Sequence, residues 1–218
     1  MTTLTNSPLE ELLESIFEKT AELPVVTAFS EEEEERLMRS KTDYLKLYKQ
    51  LKDFPLAVSR ETGELLYMLA RIIGTQTIVE FGTSFGVSTL YLAAALRDNG
   101  GGLLITSEFE PSKAEKAREN LTRAGLIDLV EIRTGDALQT LADGLPQSID
   151  LLLLDGAKAL YADILNLVES RLRPGAIIVA DDASYCPEYL SRVRASKGKY
   201  MSSPLNEDVE MSIRLLSS

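Results

Sequence analysis

Length, composition and charge narrow the classes of protein to which this chain can belong. Its 218 residues are 44% hydrophobic and 26% charged, which is the balance of a folded globular protein and argues against wholesale disorder. We expect one domain over residues 1–218, with an N-terminal helical extension at 1–60 and a core at 61–218. No apolar run approaches the ~20 residues that span a bilayer, and the N-terminus lacks a signal-like apolar segment, so a cytoplasmic protein without membrane contact is predicted.

The residue types that are missing restrict the chemistry further. The chain has one cysteine and no histidine, so an intrachain disulfide is impossible and a Cys/His zinc site cannot form. Any metal must be a hard cation bound by oxygen, and a general base must be Lys, Asp, Glu or Tyr. The formal net charge of -11 disfavours nucleic acid as a partner, because nucleic-acid affinity depends heavily on Lys and Arg.

Helices are predicted before the first strand. Apolar residues recur at helical spacing in 8–23 and in 30–54, which predicts two helices outside the core, and a third helix is predicted over 61–73. Ser30 followed by Glu33 is typical of a capping box, so the acidic residues after Ser30 are interpreted as a solvated helix start. Exposed apolar faces on these helices would favour a homodimer.

Short apolar runs alternate with helical stretches from Thr77 onward. Several runs are apolar throughout, which is typical of parallel strands covered by helices on both faces. The last run, 209–216, alternates polar and apolar residues, and with the segment before it predicts an antiparallel hairpin at the sheet edge. The sequence therefore predicts an α/β fold with a doubly wound, mostly parallel sheet of seven strands.

Glycines and acids follow successive predicted strands, at the edge where α/β sheets bind ligands. Gly82 and Gly86 open the helix after the first strand, where glycines let the backbone approach a ligand and free N–H groups face an anion. Their G-x-x-x-G spacing differs from the dinucleotide fingerprint and from the P-loop. Glu108 ends the second strand, where it can accept hydrogen bonds from ribose hydroxyls, and Asp136 follows the third, near an adenine edge.

Carboxylates also end the fourth and fifth strands. Asp155 follows the fourth strand, whereas Asp181 and Asp182 follow the fifth, which is expected to lie beside it at about 4.8 Å. Three clustered carboxylates repel one another unless a cation or protons neutralise them. The sequence therefore predicts a site for Mg²⁺ or a similar divalent ion, completed by water and substrate oxygens. The alternative is that Asp182 caps the following helix and Asp155 begins a loop.

Three segments resemble those of catechol O-methyltransferase and its metal-dependent small-molecule relatives of the caffeoyl-CoA type: EFGTSFGVSTLYLA, ITSEFEP and LDGAKALY. The resemblance runs from about residue 62 to 216. It implies a Rossmann-like fold that binds S-adenosylmethionine (SAM) and transfers its methyl group to a hydroxyl of a small catechol-like acceptor. It also implies that Lys158, in the D-x-x-K segment, is the general base.

The resemblance also assigns the remaining site residues. It implies metal ligands at Asp155, Asp181 and position 182, where relatives usually have Asn, so Asp182 departs from the pattern and is expected to change the charge or the geometry of the site. The SAM site that it implies comprises Val58, Glu80, Gly82, Ser84 and Ser88 at the methionine end, Glu108 at the ribose, Asp136 and Ala137 at the adenine, and Asp155.

The aromatic wall of the acceptor site is not evident. The mammalian catechol enzyme has a tryptophan before its lysine, whereas this chain has Ala157 there and no tryptophan at all. Tyr161, Tyr185 or residues of the N-terminal helices are the candidates to replace it.

Other functions compete with small-molecule O-methylation. Methylation of a hydroxylated nucleoside in tRNA would keep the cofactor, but the acidic balance disfavours it. An NAD(P)-dependent oxidoreductase is disfavoured by the glycine spacing and by the absence of a catalytic His or a Tyr-x-x-x-Lys motif. A module that binds SAM without an acceptor would need no Lys158.

Overall fold

The computed structural model describes residues 2–23, 29–195 and 198–215. In these ranges helices and strands alternate along most of the chain, and none of the helices is long and apolar enough to cross a membrane. The helices are α1 (Ser7–Ala21), α2 (Glu31–Met38), α3 (Tyr44–Gln50), α4 (Arg60–Ile72), α5 (Val87–Asp98), α6 (Pro111–Arg123), α7 (Ala137–Thr140), α8 (Tyr161–Val168) and α9 (Pro187–Val193). The strands are β1 (Thr77–Phe81), β2 (Leu103–Glu108), β3 (Val130–Thr134), β4 (Ile149–Leu154), β5 (Leu172–Ala180), β6 (Tyr200–Pro204) and β7 (Glu210–Arg214).

These strands form one sheet in the order β3-β2-β1-β4-β5-β7-β6. Strands β1 to β5 pair in parallel, whereas β7 pairs antiparallel with both β5 and β6. The predicted doubly wound sheet and its closing antiparallel hairpin, β6–β7, are therefore confirmed. The strand order reverses between β1 and β4, and in such sheets the crevice beyond the strand ends at this point binds ligands.

Helices cover both faces of the sheet, which explains why the sequence of β4 is apolar. Leu152 and Leu154 pack into one apolar cluster with residues of α8 and α9. Leu151 and Leu153 pack into the other cluster, with residues of α1, α4 and α5. Alternate side chains of a strand point to opposite faces, so a strand covered on both sides must be apolar at nearly every position.

The N-terminal helices differ from the prediction in one respect. Residues 30–54 were expected to form one helix, but they contain two, α2 and α3, joined by a turn. In this turn the Ser40 hydroxyl accepts a hydrogen bond from the backbone N–H of Asp43 at 3.0 Å, which competes with continuation of the helix. The predicted N-cap is confirmed, because Ser30 Oγ accepts from the N–H of Glu33 at 3.3 Å.

Glu169 ties the β6–β7 hairpin to the helices behind it. Its carboxylate accepts a hydrogen bond from Tyr200 Oη at 2.7 Å and lies 2.9 Å from Arg192 and 3.1 Å from Lys199. Partial burial works to raise the pKa of Glu169, but these donors outweigh it and lower that pKa to about 2. The ionised carboxylate is therefore part of the folded structure.

We expect Glu169→Gln to lower the free energy of unfolding at pH 7 by about 1–3 kcal/mol, because hydrogen bonds to a charged group are lost. The folded pKa lies below the ordinary value of 4.5, so this stability is present above pH 4.5 and is lost as the pH falls toward 2. Urea denaturation of both proteins at pH 7 and pH 3.5 should show a difference that narrows in acid. An equal difference at both values would contradict this interpretation.

Candidate active site

A cleft with about 780 Å³ of empty space, open to solvent, lies at the carboxyl ends of the parallel strands. The loops that follow β1, β2, β3 and β4 form its floor, and α3 covers it. This is the position beside the reversal of strand order. The predicted site residues that line it are Gly82, Ser84, Glu108, Asp136, Ala137 and Asp155.

The loop after β1 passes directly over the loop after β4. Gly82 has φ +102°, and a β-carbon there would lie 2.4 Å from the backbone oxygen of Asp155. Gly86, at φ +84°, precedes the first residue of α5. Both conformations favour glycine, and at Gly82 only the missing side chain allows the two backbones to meet. Gly82 therefore determines the shape of one wall of the cleft.

Glu80 and Ser88 meet beneath this loop. Ser88 Oγ donates to Glu80 Oε1, and Thr89 Oγ1 donates to Oε2, each at 2.6 Å. Glu80 is fully buried, and burial raises the pKa of its carboxyl. Val58 is also buried, in the apolar cluster around α4 and α5. Val58, Glu80 and Ser88, all predicted to bind the cofactor, are therefore buried and do not line the cleft.

Glu108 and Asp136 present carboxylates to the cleft. Glu108 accepts hydrogen bonds from the N–H groups of Ser84 at 2.7 Å and Glu110 at 2.8 Å, which links the loops after β1 and β2. Asp136 accepts from the N–H of Leu138 at 2.9 Å and so caps α7. A carboxylate has about four acceptor positions, so both retain capacity for hydroxyl or amine donors of a ligand.

Lys113 is a cleft residue that the sequence did not reveal. Its side chain is buried at the Glu108 end of the cleft, and its ammonium lies 6.0 Å from the centre of the Phe85 ring. Burial lowers the pKa of Lys113, although Glu108 acts against this shift. It belongs to the polar helix α6, whose pattern is that of a solvated surface helix, so the sequence carried no signal for it.

Asp155, Asp181 and Asp182 converge on Lys158. The lysine Nζ lies 2.9 Å from Asp155 Oδ1, 3.6 Å from Asp181 Oδ2 and 3.4 Å from Asp182 Oδ2. The β4–β5 pairing extends to the last residue of each strand, which places the acids that follow them side by side, as predicted. We call these four residues the acid–lysine cluster.

Charge in the acid–lysine cluster is unbalanced. Burial and the charge of Asp155 raise the pKa of Asp181 to about 7. Burial would lower the pKa of Lys158, but Tyr161 and Asp155 outweigh it, so this pKa lies well above its ordinary value. The ammonium is therefore retained, and when all acids are ionised one positive charge faces three negative charges.

The cation among these carboxylates is the Lys158 ammonium itself. Among residues 2–23, 29–195 and 198–215, no group of three or more His, Cys, Asp or Glu is arranged to hold a metal ion. The donors still suit a hard divalent cation chemically, because they are all carboxylates and carry more negative charge than one ammonium neutralises. A divalent ion would need the ammonium to move aside.

Asp182 has an unusual backbone. Its φ is +51°, in the left-handed region that Asp and Asn tolerate better than other non-glycine residues. It precedes a short turn, and in the described structure its side chain makes no capping hydrogen bond there. The interpretation of Asp182 as a helix cap is therefore not supported, and its carboxylate faces the cluster instead.

The tyrosines near the cluster have different roles. Tyr161 is fully buried and donates to the backbone oxygen of Asp181 at 2.7 Å, so it supports the cluster from behind. Tyr185 lies outside the cleft lining, with the guanidinium of Arg39 5.3 Å from its ring centre. The aromatic residues that line the cleft come from α3, from the end of β1 and from the loop after β2.

Part of the chain is similar to known methyltransferases. Residues 79–183 match the family described as a methyltransferase domain. A catechol O-methyltransferase of Niastella koreensis is 38% identical over 134 residues, which cover 58% of this chain and 58% of the relative. A second catechol O-methyltransferase, from Mycobacterium tuberculosis, is 37% identical over 127 residues, or 58% of this chain and 57% of that one. The central part of the chain is therefore similar to a methyltransferase domain and to these two enzymes.

A solved methyltransferase structure agrees in fold. The O-methyltransferase from Bacillus cereus in complex with SAH superposes with a TM-score of 0.71 at 22% identity, covering 98% of this chain and 94% of that one. The class I methyltransferase fold therefore extends through the described chain, whereas the sequence match spans little more than half of the relatives' length.

Proposed function

We propose that this chain transfers a methyl group from SAM to a hydroxyl of a small catechol-like acceptor, assisted by a divalent cation and by Lys158. One observation carries the proposal: a single cleft runs from the carboxylates Glu108 and Asp136 to Asp155 of the acid–lysine cluster. The names of the relatives and the SAH bound by the Bacillus cereus enzyme support the same activity.

The cofactor would bind along the loops at the strand ends. Glu108 is placed to accept hydrogen bonds from ribose hydroxyls, and Asp136 with Ala137 lines the part of the cleft proposed for adenine. The loop from Gly82 to the start of α5 faces the methionine end, where the N–H groups of a helix start favour a carboxylate. This arrangement directs the sulfonium toward Asp155.

The acid–lysine cluster supplies the chemistry at the other end. As an ammonium Lys158 cannot accept a proton, but a divalent cation held by the three carboxylates would displace it and lower its pKa, so that its proton passes to solvent and the neutral amine can accept the hydroxyl proton. The hydroxyl oxygen attacks the methyl carbon in line with the sulfur, the carbon–sulfur bond breaks, and SAH leaves as a neutral thioether. Opposite charges diminish in this step, so a site shielded from water and a fixed alignment favour it. The side chains of Lys158 and Asp155 are only 8% and 12% exposed. A divalent cation held by Asp155, Asp181 and Asp182 would acidify and orient the hydroxyl.

Calorimetry and a methyl-transfer assay test this function. SAM and SAH should each bind at one site per chain, and a panel of catechols and hydroxycinnamoyl compounds should contain a substrate whose methylation a chelator stops. SAM binding without turnover of any hydroxylated aromatic would contradict the proposed acceptor. Absence of SAM and SAH binding would contradict the whole proposal.

Gly82→Ala is expected to weaken SAM binding at least tenfold and to lower the melting temperature. The added β-carbon would meet the backbone of Asp155 at 2.4 Å, so one wall of the cleft would have to move. Gly74→Ala is the matched control, because Gly74 also has positive φ, +62°, but a β-carbon there would meet no atom of the described residues within 4 Å. Gly74→Ala should lower the melting temperature and leave the affinity for SAM unchanged. An equal loss of SAM affinity in both variants would show that the contact between Gly82 and Asp155 does not shape the SAM site.

A further inference from the structure

Helix α3 places two tyrosines over the cleft. Tyr44 and Tyr48 lie four residues apart, on one face of the helix, with ring centres 6.3 Å apart at an interplanar angle of 69°. Both rings pack against the apolar cluster on the α8 and α9 side of the sheet, and both line the cleft. One short helix therefore supplies aromatic surface along the cleft.

The two tyrosines differ in the groups that lie beside them. Tyr48 Oη donates to the backbone oxygen of Gly156 at 3.3 Å, next to Asp155. Burial raises the pKa of Tyr48 to about 12, and charges of the acid–lysine cluster also act on it. The pKa of Tyr44 is raised by burial and by the charge of Asp136. Tyr48 is thus the tyrosine beside the reacting groups.

The loop after β4 offers no aromatic surface of its own. Ala157 is small, and Gly156 cannot carry a side chain without displacement, because a β-carbon would lie 2.6 Å from the Phe81 ring. The side chains that line this end of the cleft next to the loop are Tyr48, Phe81, Ala157 and Leu160. Phe81 is buried against Gly156, whereas Tyr48 is half-buried and comes from α3, outside the loop.

Contacts just before α3 hold it over the cluster. Lys41 Nζ lies 2.7 Å from Asp163 in α8 and 3.1 Å from Glu188 in α9. Arg39 donates to the backbone oxygen of Ser184 at 3.3 Å, in the turn that follows Asp182. The helix that carries Tyr48 is therefore attached to the same elements that carry the acid–lysine cluster.

We propose that Tyr48 forms the aromatic wall of the acceptor site. The inference rests on the proposed function. The ring packs against a planar aromatic acceptor, and the hydroxyl is held by Gly156 so that the ring keeps its orientation. Tyr48 is then a residue that selects hydroxylated aromatic acceptors over aliphatic diols.

Steady-state kinetics test the wall with a matched pair of variants. Tyr48→Ala should raise KM for the best catechol at least tenfold while KM for SAM changes less than threefold, and Tyr48→Phe should keep both values within threefold. Tyr44→Ala should show the opposite pattern, with the larger effect on KM for SAM. Melting temperature establishes that each variant is folded, and SAH affinity does so for the two Tyr48 variants.

Tryptophan fluorescence gives a readout that does not depend on turnover. The chain has no tryptophan, so Tyr48→Trp and Tyr44→Trp each contain a single tryptophan, whose emission is distinct from that of the tyrosines. In the SAH-bound proteins, catechol should change the emission of Tyr48→Trp and leave that of Tyr44→Trp unaltered, whereas SAH itself should change that of Tyr44→Trp.

The outcomes separate this inference from the proposed function. If the wild-type protein methylates catechols while Tyr48→Ala keeps the wild-type KM and Tyr48→Trp does not respond to catechol, the wall is elsewhere and the proposed function stands. If the wild-type protein binds SAH but methylates no hydroxylated aromatic, both fail.

Discussion

Lys158→Met is expected to reduce kcat for methyl transfer about 10³-fold, within the range of general acid–base catalysis, while SAM affinity changes less than threefold. Lys158 Nζ lies 2.9 Å from Asp155, and Asp155 lines the end of the cleft proposed for the acceptor. Methionine is similar in length to lysine but cannot accept a proton. A methyl-transfer assay under substrate saturation gives the rate, and calorimetry gives the affinity for SAM.

Lys158→Arg separates the chemical role of this residue from its structural one. Removing the ammonium leaves three carboxylates facing one another, so Lys158→Met should also lose stability at pH 8. Arginine keeps the positive charge but is not deprotonated in proteins. We expect Lys158→Arg to retain more stability than Lys158→Met and to lose activity to the same extent. Retention of more than a tenth of wild-type kcat in both variants would show that Lys158 is not the base.

The fold followed from the sequence because the signals were local and repeated. A strand such as β4, with Leu151 to Leu154 in succession, needs apolar cover on both faces, and only helices on both sides of a parallel sheet supply it. The acids Asp155 and Asp181 were expected to be neighbours because parallel strands end at the same edge. That expectation required no knowledge of side-chain contacts, and the structure confirms it.

The remaining features depend on contacts between distant segments. Ser40 interrupts the predicted helix because its hydroxyl accepts a hydrogen bond from a backbone N–H that could otherwise continue the helix. The spacing of apolar residues does not indicate which of these two hydrogen bonds forms. Tyr48 and Lys113 occupy polar or mixed helices, and their place in the cleft depends on which element covers each helix. The sequence indicated that the acids share a cation, but not that the chain's own Lys158 takes that place.

Removal of divalent cations is expected to lower methyl transfer at least 100-fold, and added Mg²⁺ should restore it, because acidification and orientation of the hydroxyl are lost together. Binding also has a readout without turnover, since an ion that binds only the folded protein raises the melting temperature. Mg²⁺ should raise that temperature for the wild-type protein and should not do so for Asp155→Asn. Asp143→Asn, in the exposed loop before β4, removes one charge at the opposite edge of the sheet and should behave as wild type.

Asp182→Asn tests how an aspartate at position 182, where relatives usually have asparagine, affects the binding of a divalent ion. Asparagine tolerates the left-handed backbone found there, so the variant should fold with little loss of stability. Two carboxylates then face the ammonium instead of three, which weakens the attraction for a divalent ion, and the rise of melting temperature with Mg²⁺ should be smaller than in the wild-type protein. A larger rise would mean that the third carboxylate mainly holds Lys158 in place and so opposes the ion. Lys158→Met removes the ammonium that competes with the divalent ion for the carboxylates. Comparing the two variants therefore distinguishes attraction of the ion by Asp182 from exclusion of the ion by Lys158.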